Sequence, residues 1–246
     1  WRLSSLTIAN SGGTLTGQGE WHEKGGKNTH SLHADLKVHD AGVLLTELGY
    51  PNVLQKGNGE ASVSLTWDGT PWSPVVSTIE GPVKVSLANG SFQQVNTGVG
   101  GAVLSLLSMQ SLLKRLQLDF SDLVQNGFSF DTLTSESKVV KGVAYTDGTK
   151  VIGSHASIIS SGKADFNTRT IDYDVLVLPD INAAGASIAL AVVNPVAGIG
   201  SLVAQLLLRN PLSKIFSTEY KVQGSFDNPT IEKKSAASKT LEAAEK

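Results

Sequence analysis

"SLHADLKVH", Ser31 to His39, decides the fold class. Leu32, Ala34, Leu36 and Val38 alternate with Ser31, His33, Asp35, Lys37 and His39. Strict alternation places the first set on one face of a strand and the second on the other, one apolar and one wet. The same period recurs along the chain. "ASVSLTW" aligns Ala61, Val63, Leu65 and Trp67, and "VKVSL" aligns Val83, Val85 and Leu87. "RLQLDF" aligns Leu116, Leu118 and Phe120; "IDYDVLV" aligns Ile171, Tyr173, Val175 and Val177; "YKVQGSF" aligns Tyr220, Val222 and Phe226. Turn chemistry punctuates these runs: "NSGG" from Asn10, "KGNG" from Lys56, "LANG" from Leu87, "TDG" from Thr146 and "SSG" from Ser160. The spacing predicts an antiparallel meander rather than βαβ units.

Composition narrows the class further. The 246 residues suffice for one large β unit or two ordinary domains. Charged residues make up 17%, sparse against about 25% in an average soluble chain. The net charge is −2 and the basic residues are scattered, so the basic stripe that nucleic-acid binding requires is missing. The lack of cysteine excludes disulfides and thiolate chemistry and is compatible with an oxidising compartment. The chain opens at Trp1 without a Met or a signal-peptide pattern, and reads as a piece of a longer protein.

Helical signals are few. "DAGVLLTELGY" predicts a helix over about 40–48, with Asp40 as N-cap and Gly49 as stop. A second is expected over about 99–113, its start weakened by glycines, and "FSDLVQNG" offers a short turn between Ser121 and Gly127. Ile181 to Leu208 carries no charged side chain. Asn194-Pro195 and Asn210-Pro211 are helix-start signals, which divides the region into helices over about 181–193, 195–209 and 211–217. The first two would each be roughly 20 Å long, short of the roughly 30 Å hydrocarbon layer. Three readings stay open here: a span kinked at Pro195, buried core helices, or helices that cover a lipid site or dip into a membrane surface. The tail, 232–246, is polar and expected to be disordered, which leaves 1–231 as a single unit.

Motifs that would carry catalysis are missing. His33 and His39 share one strand face but stand about 20 Å apart, too far to share a metal, and His30 faces the other way. His22 and His155 complete the set, without an HExxH or a cysteine site. No serine sits in a G-x-S-x-G elbow, and "GVGG" at Gly98 lacks the Gly-Lys-Ser/Thr of a phosphate loop. Asp172 and Asp174 share a face in the manner of a solvated surface. Trp21, Trp67 and Trp72 read as rim or buried aromatics before ligand stackers. No catalytic residue, metal ligand or cofactor is assigned.

The order of segments resembles a known family. "LLTELGYPNVLQKGNGEASVSLTWDGTP" is similar to a stretch of the AsmA-like superfamily in which a helix ending Leu-Gly-Tyr precedes a Gly-rich turn and a strand ending Trp-x-Gly. "SMQSLLKRLQLDFSDLVQNGFSFDTL" resembles the most specific motif of its YhdP branch. "SGKADFNTRTIDYDVLVLPDI", the apolar segments around "NPVAG" and the closing "YKVQGSFDNPTI" continue the series. The resemblance runs from about Leu44 to Ile231; the first forty residues match only in style. It implies a C-terminal fragment of a long periplasmic protein of Gram-negative bacteria, anchored in the inner membrane by a segment N-terminal to this fragment. It also implies a curled, twisted antiparallel sheet forming a groove that carries phospholipid toward the outer membrane without enzymatic chemistry.

On that resemblance the inward-facing apolar residues are candidate lipid contacts: Leu36, Val38, Val63, Leu65, Val85, Leu87, Leu118, Phe120, Phe128, Phe130, Val175 and Val177. The charge-free segment within 181–217 supplies the candidate membrane or partner contact through Ile188, Leu190, Val192, Val196, Ile199, Leu202 and Leu206. A closed core filled by the chain's own helices is the competing arrangement. A structural tether that docks a partner through those helices is the competing function.

Overall fold

The structure is a computed structural model that describes residues 1–24, 26–93, 128–154, 156–179 and 217–234. The chain first lays down β1 (Arg2–Ala9), β2 (Gly13–Lys24) and β3 (Lys27–Val38), then α1 (Ala41–Glu47), then β4 (Leu54–Thr70) with its short hairpin partner β5 (Ser73–Pro74). β6 (Gly81–Phe92), β7 (Phe128–Val140), β8 (Val143–Ile152), β9 (Ala156–Asp165), β10 (Thr170–Pro179), β11 (Thr218–Ser225) and β12 (Pro229–Lys233) follow. Apart from β5, the strands pair in chain order, each antiparallel to the next, into one sheet. β1 and β12 form its two ends and do not pair with each other, so the sheet is not closed into a barrel. This is the expected meander.

Register turns the sequence alternation into a surface. Leu15 lies opposite Leu36, Leu36 opposite Ala61, Ala61 opposite Val85, and Val85 opposite Ser135. One row below, Val38 pairs with Gly59 and Gly59 with Leu87. Because cross-strand partners point to the same side, these rows build one continuous inner face. The intervening charged residues face outward, where Lys84 pairs with Glu136 at 3.2 Å and His33 with Asp35 at 3.4 Å.

Four of the five expected turns are corrected. "NSGG" is a true turn: Asn10 Oδ1 accepts from Gly13 N at 2.8 Å between β1 and β2. "KGNG", "LANG", "TDG" and "SSG" instead lie inside β4, β6, β8 and β9. Lys56, Gly57 and Asn89 adopt positive φ of 59°, 90° and 57°, the left-handed region that Gly and Asn tolerate best. Such a residue inside a strand shifts the alternation by one. In β6 the buried apolar positions pass from Leu87 to Phe92, and in β7 from Phe130 to Leu133, both odd intervals. The kinks lie side by side and keep the β4–β6 register, with Leu54 opposite Phe92 and Val63 opposite Val83. Leu54, Phe92, Phe128 and Phe130 thereby reach the same face as Leu87 and Leu133.

The expected helix over 40–48 forms as α1. Asp40 Oδ1 accepts from Val43 N at 3.0 Å, and Gly49 beyond its end has φ 91°. The expected helices over 99–113, 181–193 and 195–209, and 211–217 up to Ser217, lie outside the described residues, as does the turn at 121–127. β12 runs to Lys233, just past the expected boundary at 231. No helix among the described residues is long and apolar enough to cross a membrane.

Packing is uneven along the inner face. Toward the later strands Val151, Ile158, Val177, Tyr220 and Val222 are fully buried. At the hairpin end of the early strands Trp21, His30 and Trp67 stack across the inner face with centroids 5.5 and 5.6 Å apart, and the solvent-exposed Trp1 lies over Trp21 at 6.5 Å. His30 is buried between the two indoles, and its Nε2 lies 3.1 Å from the carbonyl of Gly69. Trp72 is solvent-exposed as well.

Candidate functional site

Between these packed regions the inner face borders a partly open cavity of about 470 Å³. This falls in the range of about 300–1,000 Å³ typical of small-molecule sites. β3, β4, β6, β7, β8, β9, β10 and β11 all contribute to its wall, and α1 stands at one end with Leu44 and Leu45. α1 can sit so close because Gly12 and Gly42 lack a side chain. A Cβ on Gly12 would stand 2.6 Å from Leu44 N, and one on Gly42 2.8 Å from the Leu54 carbonyl. No charged side chain lines the cavity among the described residues.

Leu36, Val38, Val85, Leu87 and Val175 line this space. Phe128, Phe130 and Val177 lie in the buried cluster beside it, with Phe92 and Phe130 5.3 Å apart, centroid to centroid. Val63 and Leu65 are half-buried on the same face, opposite Ala34 and Leu32, but outside the cavity. Leu118 and Phe120 lie outside the described residues, as do Ile188, Leu190, Val192, Val196, Ile199, Leu202 and Leu206.

Sequence reasoning missed part of the lining. Leu44 and Leu45 come from the helix, whose inward face follows from the cap at Asp40 but not from strand alternation. Leu133 stands out of phase with Phe130 because of the kink in β7. Six hydroxyl residues, Ser135, Ser137, Thr146, Thr149, Ser160 and Tyr173, also face the cavity. Nothing in a run of Ser and Thr distinguishes an inward hydroxyl from a solvated one. Burial pushes the Tyr173 phenol above its ordinary value, so it stays a neutral donor at physiological pH.

The acids that might have suggested catalysis are used on the outer face. Lys221 Nζ lies 2.5 Å from Asp172 and 3.4 Å from Asp174, and Lys234 Nζ lies 3.0 Å from Asp174. Burial opposes charging of Lys221, but the two carboxylates outweigh it and hold the ammonium above the ordinary lysine value. Behind the cavity wall Ile159, Leu176 and Leu178 form a second buried cluster on that outer side. Lys150, opposite Ile159, is pulled below its ordinary value by burial.

The site thus joins a continuous inner apolar face to a cavity with no charged lining among the described residues, while the acids are engaged in ion pairs on the other side. The family described as YhdP protein matches residues 1–231. The intermembrane phospholipid transporter YhdP of Escherichia coli (strain K12) is 30% identical over 217 residues, which cover 88% of this chain. The chain spans only 17% of that relative's length. No solved structure matches.

Proposed function

The chain belongs to the YhdP family, and from that premise we propose that it is one segment of a passive phospholipid conduit between the inner and outer membranes. It sits in the periplasm as part of an inner-membrane-anchored polypeptide, at the distal end of a longer groove. It uses no cofactor and performs no bond chemistry. The observation that carries the reading is the uncharged cavity walled by Leu36, Val38, Val85, Leu87 and Val175.

The energetics explain why such a surface is useful. Carrying two acyl chains through water exposes roughly 30 methylenes at about 0.8 kcal/mol each, or about 24 kcal/mol. A barrier of that size permits a rate on the order of 10⁻⁵ per second, about one transfer a day. A trough that keeps the tails on protein removes most of the barrier while the head group stays in water. The alternating strands supply both surfaces at once, and an energy source would have to act elsewhere.

Native mass spectrometry of gently purified protein is the direct test. Co-purified phospholipid, released by denaturation and identified by its mass, is the expected result. Protein that emerges lipid-free and takes up none from phosphatidylglycerol or phosphatidylethanolamine vesicles would favour the tether instead.

A further inference from the structure

We propose that the hydroxyls on the inner face of β7 to β10 form a recognition site for the ester carbonyls of a glycerolipid, so that the trough registers the lipid's glycerol backbone as well as its tails. The proposal rests on the conduit reading and adds a specific contact to it.

The backbone has been shaped to assemble these groups. Thr146 pairs with Gly162 and Thr149 with Ser160, so β8 spends one more residue than β9 over that interval; it does the same against β7. Thr146 and Thr149 are three apart and would face opposite sides of a regular strand. The extra residue at Asp147–Gly148 turns both inward. There they meet Ser135 and Ser137 from β7, Ser160 from β9 and Tyr173 from β10. Ser135 Oγ is 2.8 Å from Thr149 Oγ1, Ser137 Oγ is 2.7 Å from Thr146 Oγ1, and Thr146 Oγ1 is 3.4 Å from the Tyr173 hydroxyl.

Counting protons shows what the band can still do. Each hydroxyl brings one O–H, and each contact between two of them uses one. Six hydroxyls with three mutual contacts leave three O–H groups without an acceptor among the described residues. Thr146 and Tyr173 are buried and the other four are half-buried, so a ligand that brings acceptors takes the place of water at the donors left over. The ligand class follows from the surroundings. No cation lines the cavity among the described residues, and a phosphate is held most strongly by charged donors. Neutral carbonyl oxygens fit neutral donors. The position agrees: Ser137 and Thr146 flank the β7–β8 hairpin, and Tyr173 stands near the β9–β10 hairpin. A glycerolipid places its esters at that level when its head group is beyond the strand ends and its tails lie on the apolar wall.

The test is a competition read by native mass spectrometry. Purified wild-type protein is offered equal amounts of diacyl phosphatidylglycerol and its diether analogue, identical in chains and head group but lacking the carbonyls. The diacyl complex should exceed the diether complex by about tenfold. In the Ser160→Ala, Tyr173→Phe double variant, shown to be folded by circular dichroism, the ratio of diacyl to diether complex should fall toward parity. Equal occupancy by the two lipids in the wild type overturns the carbonyl assignment and leaves the conduit standing. Binding of neither lipid overturns the conduit and this inference with it.

Discussion

The ring of Phe130 occupies the space that a Cβ on Gly90 would need, with Cε1 2.9 Å and Cε2 3.0 Å from that position. The two residues are opposite each other on β7 and β6, beside the kink at Asn89. An aromatic ring laid over a strand glycine replaces the side chain the glycine lacks. Here it also packs against Phe92, beside the cavity.

Gly90→Ala should therefore lower stability by about 1–3 kcal/mol, because the added methyl overpacks a filled site. Urea unfolding measures the loss. In a Phe130→Leu background the same substitution should cost much less, since the ring that it meets is gone. Equal costs in both backgrounds would show that the strain lies elsewhere.

Removing the cap of α1 should loosen one end of the site. Asp40→Ala deletes the acceptor for Val43 N and should cost about 1 kcal/mol. Amide exchange across Ala41–Glu47 should quicken, while the amides of β9 and β10 keep their protection. Leu44 and Leu45 ride on that helix, so bound lipid should slow the exchange again.

A charge placed in the cavity should expel an acyl chain. Val85→Asp puts a carboxylate on the cavity wall, where no charged group among the described residues offsets it, and should reduce phospholipid occupancy by at least about tenfold. Leu65→Asp, on the same face but outside the cavity, should have a smaller effect. Circular dichroism confirms that both remain folded. Equal loss in both variants would place the tails along the whole face rather than in this space.

Lys221→Met tests the outer ion pairs through alkaline pH. The folded protein holds this ammonium above the ordinary lysine value. Its contribution is therefore fully present below the unfolded-state value, about 10.4, and fades as pH climbs through the higher folded value. Because the pair is partly exposed, the variant should lose under about 1 kcal/mol at neutral pH. The gap between variant and wild type in urea midpoint should hold steady up to about pH 10 and narrow above it.

The inward set Leu36, Val38, Ala61, Val63, Val83 and Val85 was legible because alternation is printed directly in the sequence, and strand pairing then decided which of them lie opposite each other. The kinks were not. "KGNG" and "LANG" carry the chemistry of a hairpin turn, since both turns and bulges need a residue that accepts positive φ. Only the neighbouring strand decides whether such a residue reverses the chain or merely shifts its phase. Thr146 and Thr149 were hidden for the same reason: their spacing contradicts a shared face until the bulge between them is known.

By itself, then, the sequence determined that this chain is an antiparallel sheet with a continuous apolar face, and which side chains of each regular stretch belong to that face. Alternation is a property of the local backbone and needs no partner to be read. Tertiary structure decided where the phase slips, which brings Leu54, Phe92, Phe128 and Phe130 inward, and how much of the inner face remains open. An unfilled volume depends on the sizes of side chains that meet from distant strands, and no single segment contains that information.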